Sequence, residues 1–153
     1  MEKVKEIQEL FKTKQLTLGS VESFTGGLFA KEITAVPGAS SFYKGGFITY
    51  FTEEKHRLLN ISNAVINQFG VVSKQVAEIM AKNGREILAV DCCVAFTGNA
   101  GPDTMENKPV GEVFIAISSK KQTKVLRYHL KGDRQNIQNQ SIALALEELT
   151  KLL

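Results

Sequence analysis

The run "DCCVAFTG" (91–98) constrains this chain more than any other stretch. It is almost unbroken in apolar character, has the length of a strand, and opens into the glycine- and proline-containing segment "GNAGPDTMENKPVG" (98–111). A strand with no polar face must be covered on both sides, the condition of a central strand in a sheet held between helices. The flanking patterns supply the covers. "MEKVKEIQELF" places Val4, Ile7, Leu10 and Phe11 at helical spacing, and "KQVAEIMAKNGREIL" behind Ser73 places Val76, Ile79 and Met80 on one side.

The same reading extends to the rest of the chain. "QLTLGSV" and "GGFITYF" (45–51) are strands, while "EVFIAIS" and "TKVLRYHL", separated by Ser-Lys-Lys-Gln, form an antiparallel hairpin. "GLFAKEITAV" is a helix burying Leu28, Phe29 and Ile33 and stopped at Pro37-Gly38. Thr52 is the expected N-cap of "EEKHRLL", and "NISNAVINQFG" reads as a connection. A closing helix runs from about Asn136 with Ile142, Leu146, Leu149 and Leu153 on its apolar face. Helix and strand patterns alternate, so the expectation is one α/β domain over residues 1–153: a three-layer α/β/α sandwich with a mixed sheet.

Composition narrows the function classes. With 153 residues, 43% of them hydrophobic, the chain supports one well-buried core. Its net charge of +3 is spread among the acids rather than gathered, which argues against a nucleic-acid surface. Cys92 and Cys93 are neighbours that point to opposite faces of a strand, so they read as buried thiols of a reducing cytoplasm. There is no CxxC and no histidine cluster, so no metal is expected. No signal peptide opens the sequence, and no apolar run approaches the roughly 20 residues of a membrane span. A cytoplasmic protein that does not engage membranes is the expectation.

Three polar, glycine-marked segments follow strands: Glu22 to Gly27, Tyr50 to Lys55, and Thr97 to Gly111. Ligands of open α/β sheets gather at such strand ends. In "SVESFTGG", Ser23 stands between a strand and a helix, near helix N-terminal amides able to stabilise an oxyanion or bind phosphate. On this stretch alone, Ser23 or Thr25 reads more readily as a helix cap than as a nucleophile. Lys55 falls in the first turn of the next helix, where burial and the dipole would lower its pKa toward that of a general base. Its alternative is a solvated lysine paired with Glu53 or Glu54, and spacing alone favours that alternative. His56 and His129 are the only histidines and give little support to a Ser-His-Asp triad. Arg134, in "KGDR", stands at the start of the last helix and is able to grip a phosphate or carboxylate as a fork, or to form a surface ion pair.

"ESFTGG" (22–27), "VPGASSFYKGGFITY" (36–50) followed by "EEKHRLLNI", "GVVSKQVAEIMA" (70–81), "TGNAGP" running to "KPVG" (97–111) and "GDR" (132–134) occur in one order that resembles the CinA C-terminal domain family, from about Leu16 to the last helix. The resemblance implies a nicotinamide-nucleotide amidase that converts nicotinamide mononucleotide (NMN) to nicotinate mononucleotide and ammonia in pyridine nucleotide salvage, with no cofactor, in a stand-alone form. It implies Ser23 as nucleophile, Lys55 as general base and Tyr50 as a positioning group. It also implies that Glu22, Thr25, Gly26, Gly27, Gly46, Thr97, Gly98 and Arg134 contact substrate, Arg134 at the phosphate.

Three departures from the family pattern stand out. Phe24 replaces a small or sulfur-bearing residue and is expected at the pocket mouth. "DTMEN" replaces a glycine-rich loop, and "QNIQNQ" replaces arginines after "GDR", leaving Lys108 as an alternative phosphate ligand. The runner-up reading is a catalytically silent nucleotide-binding or interaction module linked to competence or DNA damage. A third is an amidase for another small carboxamide. Short chains with apolar helices often pair, so a homodimer is the expected assembly.

Overall fold

The structure, a computed structural model, describes all 153 residues. Five strands form one mixed sheet: β1 (Leu18–Glu22), β2 (Tyr43–Ile48), β3 (Cys92–Gly98), β4 (Glu112–Ser119) and β5 (Thr123–His129). Their order is β2-β1-β3-β4-β5. β1 is parallel to both β2 and β3, whereas β3, β4 and β5 run antiparallel in succession.

Side-chain alternation divides the interior into two cores. Cys92, Val94 and Phe96 of β3, with Val113, Ile115 and Ile117 of β4, face α1 (Glu2–Lys14), α2 (Leu28–Thr34) and α6 (Arg134–Leu152). Cys93, Ala95, Phe114 and Ala116 face the opposite layer, built from α3 (Thr52–Leu59), α4 (Asn63–Phe69) and α5 (Lys74–Leu88). The apolar run at 91–98 is therefore a central strand covered on both faces, and the α/β/α sandwich is as expected. Burial pushes the Cys92 thiol up to about 11 and raises that of Cys93 further, so both sulfurs remain protonated packing groups.

Several local expectations need correction. The segment around "NISNAVINQFG" is not a plain connection but contains α4, capped by Ser62, whose Oγ accepts the Ala64 N–H at 3.2 Å. Only Val65 and Ile66 of its apolar residues pack into the core, too short a period to be read as a helix without the α5 surface that they cover. Thr52 begins α3 rather than capping it, and Phe51 occupies the N-cap position without a side-chain acceptor. The last helix starts two residues before Asn136, because Asp133 and Asn136 form a reciprocal capping box. Ser73 caps α5 as expected, its Oγ accepting the Val76 N–H at 3.2 Å.

Chain direction concentrates the loops. β1 connects to β2 through α2 on one face, and β2 returns to β3 through α3, α4 and α5 on the other. β1 is thus the point where connections diverge to opposite faces, and the carboxyl ends of β1, β2 and β3 open onto one crevice. Ser23, Thr49 and Asn99 are the residues that immediately follow these three strands.

Candidate active site

Ser23 leaves the end of β1 on a turn whose helix cap is supplied from an unexpected direction. The buried Glu22 carboxylate folds over the start of α2 and accepts the N–H groups of Gly27 at 3.2 Å, Phe29 at 3.0 Å and Ala30 at 3.1 Å. A carboxylate there satisfies donors that the helix itself cannot and complements its dipole. Neither Ser23 nor Thr25 caps α2: its N-cap is Gly27, and the buried Thr25 hydroxyl has no hydrogen-bond partner. The Gly26 N–H donates to the Ser23 carbonyl at 3.1 Å, so the glycine amides, like the rest of this helix start, are committed to the chain itself. Ser23 Oγ is thereby released from any capping role.

Lys55 meets that oxygen from α3. Its side chain is 1% exposed, with Nζ 2.9 Å from Ser23 Oγ and 2.7 Å from the Thr49 carbonyl oxygen, which accepts its hydrogen bond. The neighbouring Glu54 carboxylate turns outward to Arg57 at 2.9 Å, so the ion pair suggested by "EEK" forms with a different cation. Burial lowers the Lys55 pKa to about 8, opposed by the field of Glu106. At pH 7 roughly a tenth of such an amine is neutral, against about three parts in ten thousand for an ordinary lysine. With the amine neutral, the 2.9 Å contact runs in reverse: Ser23 O–H donates to the Nζ lone pair.

A cleft of about 170 Å³ opens beside Ser23, lined by Phe24, Tyr50, Gly98, Asn99, Asp103 and Arg134 among others. Tyr50 and Arg134 are joined across it: the guanidinium donates to the Tyr50 hydroxyl at 2.7 Å and to the Gly101 carbonyl at 2.9 Å. Two of its five N–H donors are used and it makes no ion pair, leaving a fork directed by fixed partners. Phe24 follows Ser23, and its backbone N–H donates to no other protein group, the property an oxyanion donor requires. Its ring is 5% exposed and packs in the core beneath α1, α2 and α6. The Phe24 carbonyl accepts from the Gln138 side chain at 2.8 Å. Phe24 thus borders the cleft, as expected, while most of its bulk lies in the interior.

The structure brings Ser23, Lys55, Tyr50, Gly98 and Arg134 together. Other expected substrate contacts lie elsewhere. Thr97 is buried, with Oγ1 donating to the Val71 carbonyl at 2.6 Å. Gly46 pairs with Ser20 in the sheet, where a Cβ would stand 2.6 Å from Ser20 Oγ, so its lack of a side chain serves strand packing. Glu22, Thr25, Gly26 and Gly27 do not line the cleft; they form the turn itself, which Glu22 ties to the start of α2. Lys108 Nζ is taken by the carbonyls of Phe69 and Val72 and by Glu106, which removes it as a free phosphate ligand. Sequence reasoning missed the Thr49 carbonyl, Asn99 and Glu106. Only the polar Asn99 within "TGNAGP" offered a local signal; the other two depend on where distant segments meet.

The CinA C-terminal domain family matches residues 1–153, and the chain belongs to that family. A Bacillus cereus relative named as a competence-damage inducible protein is 42% identical over 146 residues, which is 95% of this chain and 35% of that protein. A Levilactobacillus brevis relative of the same name is 40% identical over 141 residues, 92% of this chain and 34% of that one. The chain therefore spans about a third of the length of the curated relatives it matches. Among solved structures, a CinA superfamily protein from Escherichia coli superposes with a TM-score of 0.96 at 30% identity, over 99% of this chain and 88% of the other. A competence/damage inducible protein from Agrobacterium tumefaciens gives 0.95 at 31% identity, over 99% and 93%. No helix is long and apolar enough to cross a membrane.

Proposed function

We propose that the chain is a serine–lysine amidohydrolase acting on the carboxamide of NMN. The observation that carries this reading is the buried Lys55 amine, held 2.9 Å from Ser23 Oγ with no carboxylate in contact with it. Burying a lysine without a counter-ion costs stability, and such an arrangement is expected where a neutral amine is needed.

In the acylation step, Ser23 Oγ attacks the carboxamide carbon while neutral Lys55 takes the hydroxyl proton. The tetrahedral oxyanion is met by the Phe24 N–H, and the Lys55 ammonium then protonates the departing nitrogen, releasing ammonia. Neutral Lys55 next deprotonates water, which attacks the Ser23 ester; the proton returns to Ser23 Oγ as nicotinate mononucleotide leaves. The Thr49 carbonyl keeps Nζ aimed at Ser23 throughout, and Arg134, oriented by Tyr50 and Gly101, takes the phosphate.

A second reading, an amidase for a smaller carboxamide, is favoured by the size of the cleft. At about 170 Å³ it is below the roughly 300 Å³ at which pockets enclose a whole drug-sized ligand, so it admits the reacting ring rather than a full nucleotide. Incubation with NMN, nicotinamide riboside and free nicotinamide decides between them, with ammonia and the matching acid both measured. The NMN reading expects both products from NMN in preference to the other two. Turnover of NMN no greater than that of a Ser23→Ala protein removes the proposal.

A further inference from the structure

The loop joining β3 to β4, residues 99–111, forms one wall of the Ser23 cleft through Asn99, Ala100, Gly101, Asp103 and Met105. Its inner fold is drawn together by Asn99, whose side chain accepts the Met105 N–H at 3.1 Å and donates to the Met105 and Lys108 carbonyls at 3.3 and 3.2 Å. Its outer end is fastened to the turn between α4 and α5 by two opposite charges. Glu106 accepts the Val71 N–H at 2.7 Å and the Val72 N–H at 3.0 Å, while Lys108 donates to the carbonyls of Phe69 and Val72. Backbone groups of one turn are thus read in both senses, donors by a carboxylate and acceptors by an ammonium, and the two side chains also meet at 3.3 Å.

The receiving turn is shaped for that carboxylate. Gly70 has φ +80°, and a Cβ there would stand 2.6 Å from the Glu106 carboxyl carbon. The carbonyl of Val71 is in turn held by Thr97 at the end of β3, so the docked loop is referred back to the strand that leads into the cleft. Glu106 is also the charged group whose field reaches Lys55.

We propose that Glu106 is a positioning residue of the site: docked on the Val71 and Val72 amides, it holds the 99–111 loop as the wall of the Ser23 cleft and presents a negative charge to the buried Lys55. Other groups facing Lys55 are the neutral Ser23 hydroxyl and the Thr49 carbonyl, and Glu106 itself faces Lys108 and the two amides. Glu106 touches neither nucleophile nor base; it acts through the loop and through space. The inference rests on the Ser23–Lys55 amidase reading only for its catalytic consequence.

Two variants separate wall from charge. Glu106→Gln keeps a carbonyl acceptor for the turn and removes the charge; Glu106→Ala removes both. Titration of the Lys55 side chain by carbon-13 NMR should show a lower pKa in both variants than in wild type. Amide hydrogen exchange at Val71 and Val72 should rise at least tenfold in Glu106→Ala and less in Glu106→Gln. With an amide substrate, the rising limb of kcat/KM against pH should move to lower pH in Glu106→Gln with KM nearly unchanged. In Glu106→Ala, KM should rise roughly tenfold. Identical Lys55 titration in all three proteins, or unchanged exchange at Val71 and Val72 in Glu106→Ala, overturns the proposal. Those two measurements need no substrate, so absence of NMN turnover in wild type would sink the amidase reading while leaving the role of Glu106 decided on its own.

Discussion

Lys55 Nζ lies 2.9 Å from Ser23 Oγ and 2.7 Å from the Thr49 carbonyl oxygen, and its neighbour Glu54 pairs with Arg57 instead. The amine is therefore fixed by two neutral oxygens in a buried position beside the cleft. That combination makes its proton easy to lose and directs its lone pair at a hydroxyl.

Activity should follow the neutral fraction of Lys55. With a pKa lowered to about 8, kcat/KM should climb about tenfold per unit below pH 8 and level off above it. Lys55→Ala should lower kcat by about 100-fold to 10,000-fold at pH 8, the range for removal of a general base. A pH profile of ammonia release measures both, and a limb unchanged in Lys55→Ala would remove this lysine from the chemistry.

Stability should carry the same group with a defined sign. Lys55 titrates near 8 in the folded protein and near 10.5 when exposed, so between those values the unfolded chain binds more protons. Its contribution therefore opposes folding below about pH 8 and is relieved as pH rises toward 10.5. Urea unfolding at pH 7.5 and pH 10 should show wild type gaining stability relative to Lys55→Met across that interval. A constant difference between the two proteins would contradict the buried, depressed lysine.

Glu22 should behave as a structural support rather than a substrate contact. Removing its carboxylate leaves the N–H groups of Gly27, Phe29 and Ala30 without their acceptor beside a buried core. Glu22→Ala should cost about 2 kcal/mol or more, and Glu22→Gln less, since one acceptor remains. Chemical denaturation checks the order; equal stability of all three proteins would deny the cap.

Arg134 should discriminate phosphate. Its two fixed partners leave three N–H donors, and a charge-assisted fork is worth about 1.5–3 kcal/mol, or roughly tenfold to 150-fold in binding. Arg134→Ala should raise KM for NMN by that factor while changing KM for nicotinamide riboside little. Equal effects on the two substrates would assign Arg134 to holding Tyr50 and Gly101 alone.

Much of the architecture was legible because it depends on local periodicity. The apolar run 91–98, the helical spacing of Val76, Ile79 and Met80, and the 112–130 hairpin are patterns that neighbouring residues impose on one another. α4 was not legible, since seven residues with two apolar contacts acquire a helical preference only against α5. Of the candidate site, the side chains that meet at the cleft and their order along the chain could be read, and their proposed roles come from the family resemblance.

Pairing was a different matter. "EEK" by itself favoured an ion pair, and "SVESFTGG" favoured a serine or threonine cap; in the folded chain Arg57 takes Glu54, and Glu22 takes the helix amides. Phe24 turns into the core, and Lys108 is spent on backbone carbonyls. The sequence by itself determined which side chains exist and which local elements carry them. Only the tertiary structure decided which of them are dry, which are neutralised by a partner, and which are left free, because desolvation and hydrogen-bond satisfaction arise where segments remote in the chain are packed together.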